Sequence, residues 1–93
     1  MRSRYSAFAL GDVDYVSRTW HPDTRPTDLV LDADQRWTLL EIVATEGGGP
    51  FHAKGAVEFR AHYRHNRDRG VLHERSRFVR DGGLWLYLDG VIA

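Results

Sequence analysis

Ninety-three residues, no cysteine and equal basic and acidic side chains (13 Lys+Arg against 13 Asp+Glu) bound the reading before any motif is considered. The length fits one domain that buries roughly two-thirds of its unfolded surface, and a 42% hydrophobic share with three tryptophans belongs to a folded chain. Zero cysteine excludes disulfides and thiolate zinc sites, and the balanced charge argues against a nucleic-acid partner. No apolar run approaches the roughly 18 residues of a membrane span and no apolar signal segment follows Met1, so a soluble cytoplasmic protein is the expectation.

In chain order, Tyr5, Phe8 and Ala9 recur at helical spacing over residues 2–10, with Arg2 and Arg4 alongside. Gly11 stops this helix and Asp12 caps the next. Val13, Val16, Ser17 and Trp20 mark one face of a second short helix, which His21-Pro22 ends because proline disfavours helix in the residue before it. Residues 22–35 hold Pro22, Pro26 and four aspartates and read as an irregular connection with one turn around Thr27–Val30. From Arg36 the texture becomes β. Strands are expected over Trp37–Thr45, Ala56–Arg64, Val71–Arg80 and Leu84–Asp89, separated by the Gly47–Gly49 break, a polar turn at His65–Gly70 and an Asp81-Gly82 hairpin.

Alternation assigns the faces. If the 65–70 loop closes symmetrically, Phe59 faces Ser76, Ala61 faces Glu74 and Val57 faces Phe78, while Glu58, Arg60, His62, His73, Arg75 and Arg77 gather on the other side. If Asp81-Gly82 is a two-residue turn, Trp85 faces Phe78, Tyr87 faces Ser76 and Asp89 faces Glu74. A sheet with one apolar and one charged face must be covered on the apolar side, and the two helices supply the cover. The expected fold is α+β: two N-terminal helices packed on a curved four-stranded antiparallel sheet, forming a cone with a pocket at its open end.

The segments Met1-Arg2-Ser3-Arg4-Tyr5-Ser6-Ala7-Phe8, Thr19-Trp20-His21-Pro22, Glu74-Arg75-Ser76-Arg77-Phe78 and Trp85-x-Tyr87-x-Asp89-Gly90 together resemble the YchJ family, in order and across the chain. The resemblance implies that family's middle domain, a cone of the nuclear transport factor 2-like superfamily. The family commonly carries SEC-C zinc motifs beside this domain. They are absent from these residues, so no zinc function is carried over. What the resemblance implies is a fold and a set of shared positions, not a reaction.

Glu74 is the leading site candidate. It shares the apolar face with Leu72, Ser76 and Phe78, so it is either a buried anion paired with Arg2 or Arg4, or a ligand-binding carboxylate or general base in the cone. Asp89 either faces Glu74 as half of an acid/base pair or begins a turn with Gly90. Tyr5 and Tyr87 are core rings or donors to a ligand. His21 caps the second helix or reaches the pocket rim. Ser76 and Trp85 complete the candidate pocket. His62 and His73 lack a third metal ligand, and His52 and His65 read as loop residues; no metal or cofactor is expected. Leu84, Leu86 and Leu88 form an apolar row on the outer side of the last strand, which points to a protein partner, a homodimer or a flanking segment that covers it. The leading expectation is a non-enzymatic module for an unknown small molecule or protein. The alternative is an isomerase-like or dehydratase-like acid/base pocket using Glu74 and Asp89.

Overall fold

The computed structural model describes residues 1–93. Two helices, α1 (Arg2–Leu10) and α2 (Val13–Arg18), precede four strands, β1 (Gln35–Gly47), β2 (Lys54–His65), β3 (Asp68–Asp81) and β4 (Leu84–Ile92). The strands form one antiparallel sheet in the order β1-β2-β3-β4. No helix is long and apolar enough to cross a membrane.

The helix ends follow from local chemistry. Gly11 takes the left-handed conformation (φ 71) and its N–H closes on the Phe8 carbonyl at 3.2 Å. Asp12 accepts the Tyr15 N–H at 3.1 Å and so caps α2. α2 ends at Arg18, before the expected Trp20. The Thr19 hydroxyl turns back onto the Tyr15 carbonyl at 2.6 Å. From there the backbone leaves the helix to bond β4: the Tyr87 N–H donates to the Thr19 carbonyl at 2.8 Å, and the His21 N–H donates to the Tyr87 carbonyl at 2.7 Å. Trp20 thereby becomes a one-residue parallel bridge on the outer edge of β4. Residues 22–34 are irregular, as expected, with a turn at 22–24 and a bend at 27–28.

The β2–β3 hairpin closes more tightly than the symmetric 65–70 loop, and the two-residue β3–β4 turn falls one position later than Asp81-Gly82. Asn66-Arg67 makes a two-residue turn with Asn66 at φ 56, and Gly82-Gly83 makes another with φ 55 and 84. Each moves the register by two residues, so Phe59 faces Glu74, Ala61 faces Leu72 and Arg80 faces Trp85. A two-residue slip preserves the faces. Val57, Phe59, Ala61, Tyr63, Glu74, Ser76 and Phe78 therefore share the face that the helices cover.

The face is packed by aromatic edges. Trp37 receives Tyr5 and Phe8 of α1, each at 6.4 Å between ring centroids, and meets Tyr63 of β2 at 5.4 Å. Gly70 lies under Tyr63: a Cβ there would stand 2.8 Å from the ring's Cε2, so only glycine lets this ring lie flat on β3. Ala7, Val16, Phe59, Ala61 and Leu86 are the buried apolar residues.

Three irregularities interrupt the alternation: β1 carries an extra residue between Trp37 and Leu39 and another between Ile42 and Ala44, and the third lies in β4. Between Phe78↔Tyr87 and Arg77↔Asp89, β4 carries one more residue than β3, so Leu88 is an inserted bulge residue. Beyond it the alternation of β4 reverses. Asp89 joins the charged outer face, and Gly90 comes to oppose Ser76.

Candidate functional site

The covered side of the sheet holds a cavity of about 200 Å³ that opens to solvent. Arg4, Tyr5 and Phe8 reach it from α1, Trp20 from the segment after α2, and Trp37 from β1. Phe59 and Ala61 line it from β2, Leu72, Glu74 and Ser76 from β3, and Tyr87 from β4. The wall is apolar apart from a few convergent polar groups, the usual make-up of a small-molecule site.

Glu74 is the carboxylate of this wall. Its side chain occupies the space above Gly90, where a Cβ would lie 2.5 Å from Glu74 Cδ. The Ser76 hydroxyl donates to Glu74 Oε2, and the Tyr87 hydroxyl donates to the same oxygen at 3.4 Å. Oε1 receives no hydrogen bond from the chain. Ser76 is only 1% exposed, so its hydroxyl depends on this carboxylate.

Arg4 is the buried cation beside it, 6% exposed. Its Nη1 donates to the Val16 carbonyl and to Thr19 Oγ1, both at 3.3 Å. Its guanidinium carbon lies 4.3 Å from the Tyr87 ring centroid, 4.8 Å from Trp20 and 5.4 Å from Phe8, a cage of aromatic faces. The expected ion pair between Glu74 and Arg2 or Arg4 is not formed. Arg2 is exposed, and neither arginine has a carboxylate within 4.0 Å. Tyr87 links the two charges instead, with its ring against Arg4 and its hydroxyl toward Glu74. Burial pulls the Arg4 guanidinium down to about 10, against the opposing influence of Tyr87 and Glu74. Burial, and next the charge of Glu74, push the Tyr87 phenol up to about 12.

The other candidates separate. Tyr5 lines the cavity, and burial raises its phenol. Asp89 does not face Glu74, because the Leu88 bulge turns it outward. There it holds Arg77, with Nε to Oδ1 at 2.6 Å, and that hydrogen bond lowers its carboxyl. The two-carboxylate acid/base scheme therefore has only one of its members at the site. Trp85 lies at the far end of the face, with the Arg80 guanidinium carbon 5.2 Å from its ring, and lines a separate, larger hollow with Phe78. His21 neither caps α2 nor reaches the cavity: its Nδ1 accepts the Asp23 N–H at 3.1 Å and shapes the following turn.

The expected leucine row is broken. Leu84 is 68% exposed but Leu86 is 8% exposed, and Leu88 sits at the bulge, so no continuous apolar stripe supports a homodimer there. His62 and His73 do not oppose each other. His62 faces Val71 and bonds Glu41, and His73 faces Arg60 and bonds Glu58 at 2.7 Å.

Comparison with known proteins decides the family. Residues 1–90 match the family described as YchJ, middle NTF2-like domain. The chain belongs to the YchJ family. Among YchJ relatives, the UPF0225 protein of Streptomyces coelicolor is 58% identical over 90 residues, which cover 97% of this chain and 69% of that protein. The UPF0225 protein of Streptomyces avermitilis is 54% identical, with 97% of this chain and 61% of that protein covered. A SEC-C motif containing protein from Rhodopseudomonas palustris, known from a solution structure, superposes with a TM-score of 0.84 at 30% identity. That match covers all of this chain and 75% of the other. A second, from Psychrobacter arcticus, gives 0.75 at 28% identity over 58% of its own length. This YchJ domain thus corresponds to the larger part of longer proteins.

Sequence reasoning missed four members of the site: Phe8, Trp20, Trp37 and Gly90. The Arg4 cage draws Phe8, Trp20 and Tyr87 from separate elements, and Trp37 floors the cavity. Gly90 makes room for Glu74. The only signal for Gly90 in the sequence was a small residue beside a strand carboxylate, and the bulge that aligns them has no marker.

Proposed function

We propose that this YchJ-family cone is a non-enzymatic binding module for a small, largely apolar molecule that carries both a hydrogen-bond donor and an acceptor. The observation that carries the reading is an apolar cavity of about 200 Å³ whose one carboxylate, Glu74, offers an oxygen with no partner in the chain. A second observation supports it: Trp20 Nε1 is a buried donor without an acceptor, and Trp20 lines the same cavity. A ligand N–H or O–H would meet Glu74 Oε1, and a ligand carbonyl would meet Trp20. The aromatic walls supply most of the contact. An acid/base reading would rest on Glu74 alone, since Asp89 is bound to Arg77 on the opposite face.

Titration with fluorobenzamide, followed by fluorine NMR, tests the proposal. The amide supplies both donor and acceptor. Saturable line broadening is expected, weakened in Glu74→Ala and in Trp20→Phe while both variants stay folded by circular dichroism. Unsaturable behaviour, or binding indifferent to both substitutions, would overturn it.

A further inference from the structure

The charged outer face of the sheet is not uniform. From the end near β4 inward, its charges are matched. Arg77 holds Asp89, Arg75 holds Glu46, His73 holds Glu58 and His62 holds Glu41. Arg60 faces Glu41 directly across the β1–β2 ladder. At the opposite end the pattern stops. Arg36 of β1 faces Arg64 of β2, and Arg64 faces Arg69 of β3, so three arginines lie in line across three strands. All three are exposed, and none of their guanidinium groups ion-pairs within the chain. Of the nearby acids, Asp32 is taken by His65, Asp68 alternates onto the other face, and Asp34, two residues before Arg36, forms no ion pair with any of the three. Like charges placed directly opposite each other destabilise a sheet. The next row inward is Leu39, His62 and Val71, and Leu39 and Val71 are exposed apolar side chains.

From this we infer that the row Arg36, Arg64 and Arg69 is a docking site for an acidic segment of a partner protein. Its carboxylates take the guanidinium forks, and an apolar side chain of the same segment rests on Leu39 and Val71. Strands about 4.8 Å apart set the outer two arginines about 10 Å apart, so two carboxylates about 7 Å apart on alternate positions of an extended segment fall within the span of the row. Charge complementarity selects an anion. The apolar pair and the absence of any Phe, Tyr or Trp on this face select an acidic peptide over a nucleic acid, which would want broad stacking surfaces. The site lies on the opposite side of the sheet from the cavity and stands independently of it.

The test uses a fluorescein-labelled decapeptide of alternating glutamate and leucine, read by fluorescence anisotropy, with labelled oligouridylate of the same length as the competing class. Expected are saturable peptide binding that weakens with added salt, a loss of roughly tenfold or more in Arg64→Glu, and no change in the control Arg77→Gln. Arg64→Glu should also melt at or above the parent, because it replaces two repulsions with two attractions across the strands. Tighter binding of oligouridylate, peptide binding unaffected by Arg64→Glu, no peptide binding, or a lowered melting temperature in Arg64→Glu would each overturn the inference.

Discussion

Gly90→Ala probes the site at its most constrained point. The added Cβ would stand 2.5 Å from Glu74 Cδ and 3.0 Å from Cγ, well inside ordinary contact. The Glu74 carboxylate is the far end of a flexible side chain, so it swings away while the strand backbone stays. The swing breaks the Ser76 hydrogen bond and leaves a hydroxyl that is 1% exposed without a partner. An unsatisfied buried group of this kind costs about 1–3 kcal/mol, offset by about 0.4–1 kcal/mol from the lower chain entropy of alanine. A net loss near ~1–2 kcal/mol corresponds to a fall of roughly 4–15 °C in melting temperature for a domain of this size. The assay is thermal unfolding of a double-mutant cycle. In a Glu74→Ala background the new methyl has nothing to displace, so Gly90→Ala should become neutral or slightly stabilising there. If Gly90→Ala destabilises both backgrounds equally, the reasoning fails, because the cost then comes from the backbone and not from the carboxylate.

Two further predictions concern the charges around Tyr87. With its phenol held at about 12 against an ordinary 10, the folded chain keeps a proton that the unfolded chain releases. Stability from this group is therefore complete below pH about 10 and is lost as pH rises through about 12. Tyr87→Phe should flatten that decline in alkaline denaturation, and Glu74→Gln should lower the last tyrosinate step seen by absorbance, since it removes a charge that raises Tyr87; an unmoved last step would contradict the Glu74–Tyr87 link. Arg4→Lys keeps the charge but loses the planar guanidinium held among Phe8, Trp20 and Tyr87. A loss of about 2 kcal/mol is expected in chemical denaturation. Unchanged stability would mean that the cage recognises charge alone.

The sequence carried the faces of the sheet further than its register. Strict alternation through His73-Glu74-Arg75-Ser76-Arg77-Phe78 placed Glu74 and Ser76 under the helices, and both hairpin registers were misjudged by an even number of residues, which left every face intact. The Leu88 bulge was not legible. No glycine or proline marks it, and one inserted residue is enough to turn Asp89 from the cavity to the outer face. The early end of α2 was equally hidden. Apolar spacing favoured a helix through Trp20, but the backbone groups of Tyr87, on a strand far along the chain, bond Thr19 and His21. The Glu74–arginine pair was a sound inference from a carboxylate on an apolar face. It failed because the hydroxyls of Ser76 and Tyr87 take one oxygen of the carboxylate, Oε2, while aromatic rings and a helix-end carbonyl hold Arg4.

Amide chemical-shift mapping of the labelled domain with fluorobenzamide is the most direct trial of the binding claim. The account predicts saturable shifts concentrated at Tyr5, Trp20, Trp37, Leu72, Ser76 and Tyr87, with the outer-face residues Arg60, Arg75 and Arg77 unmoved. Shifts scattered over both faces, or confined to the outer one, would contradict it.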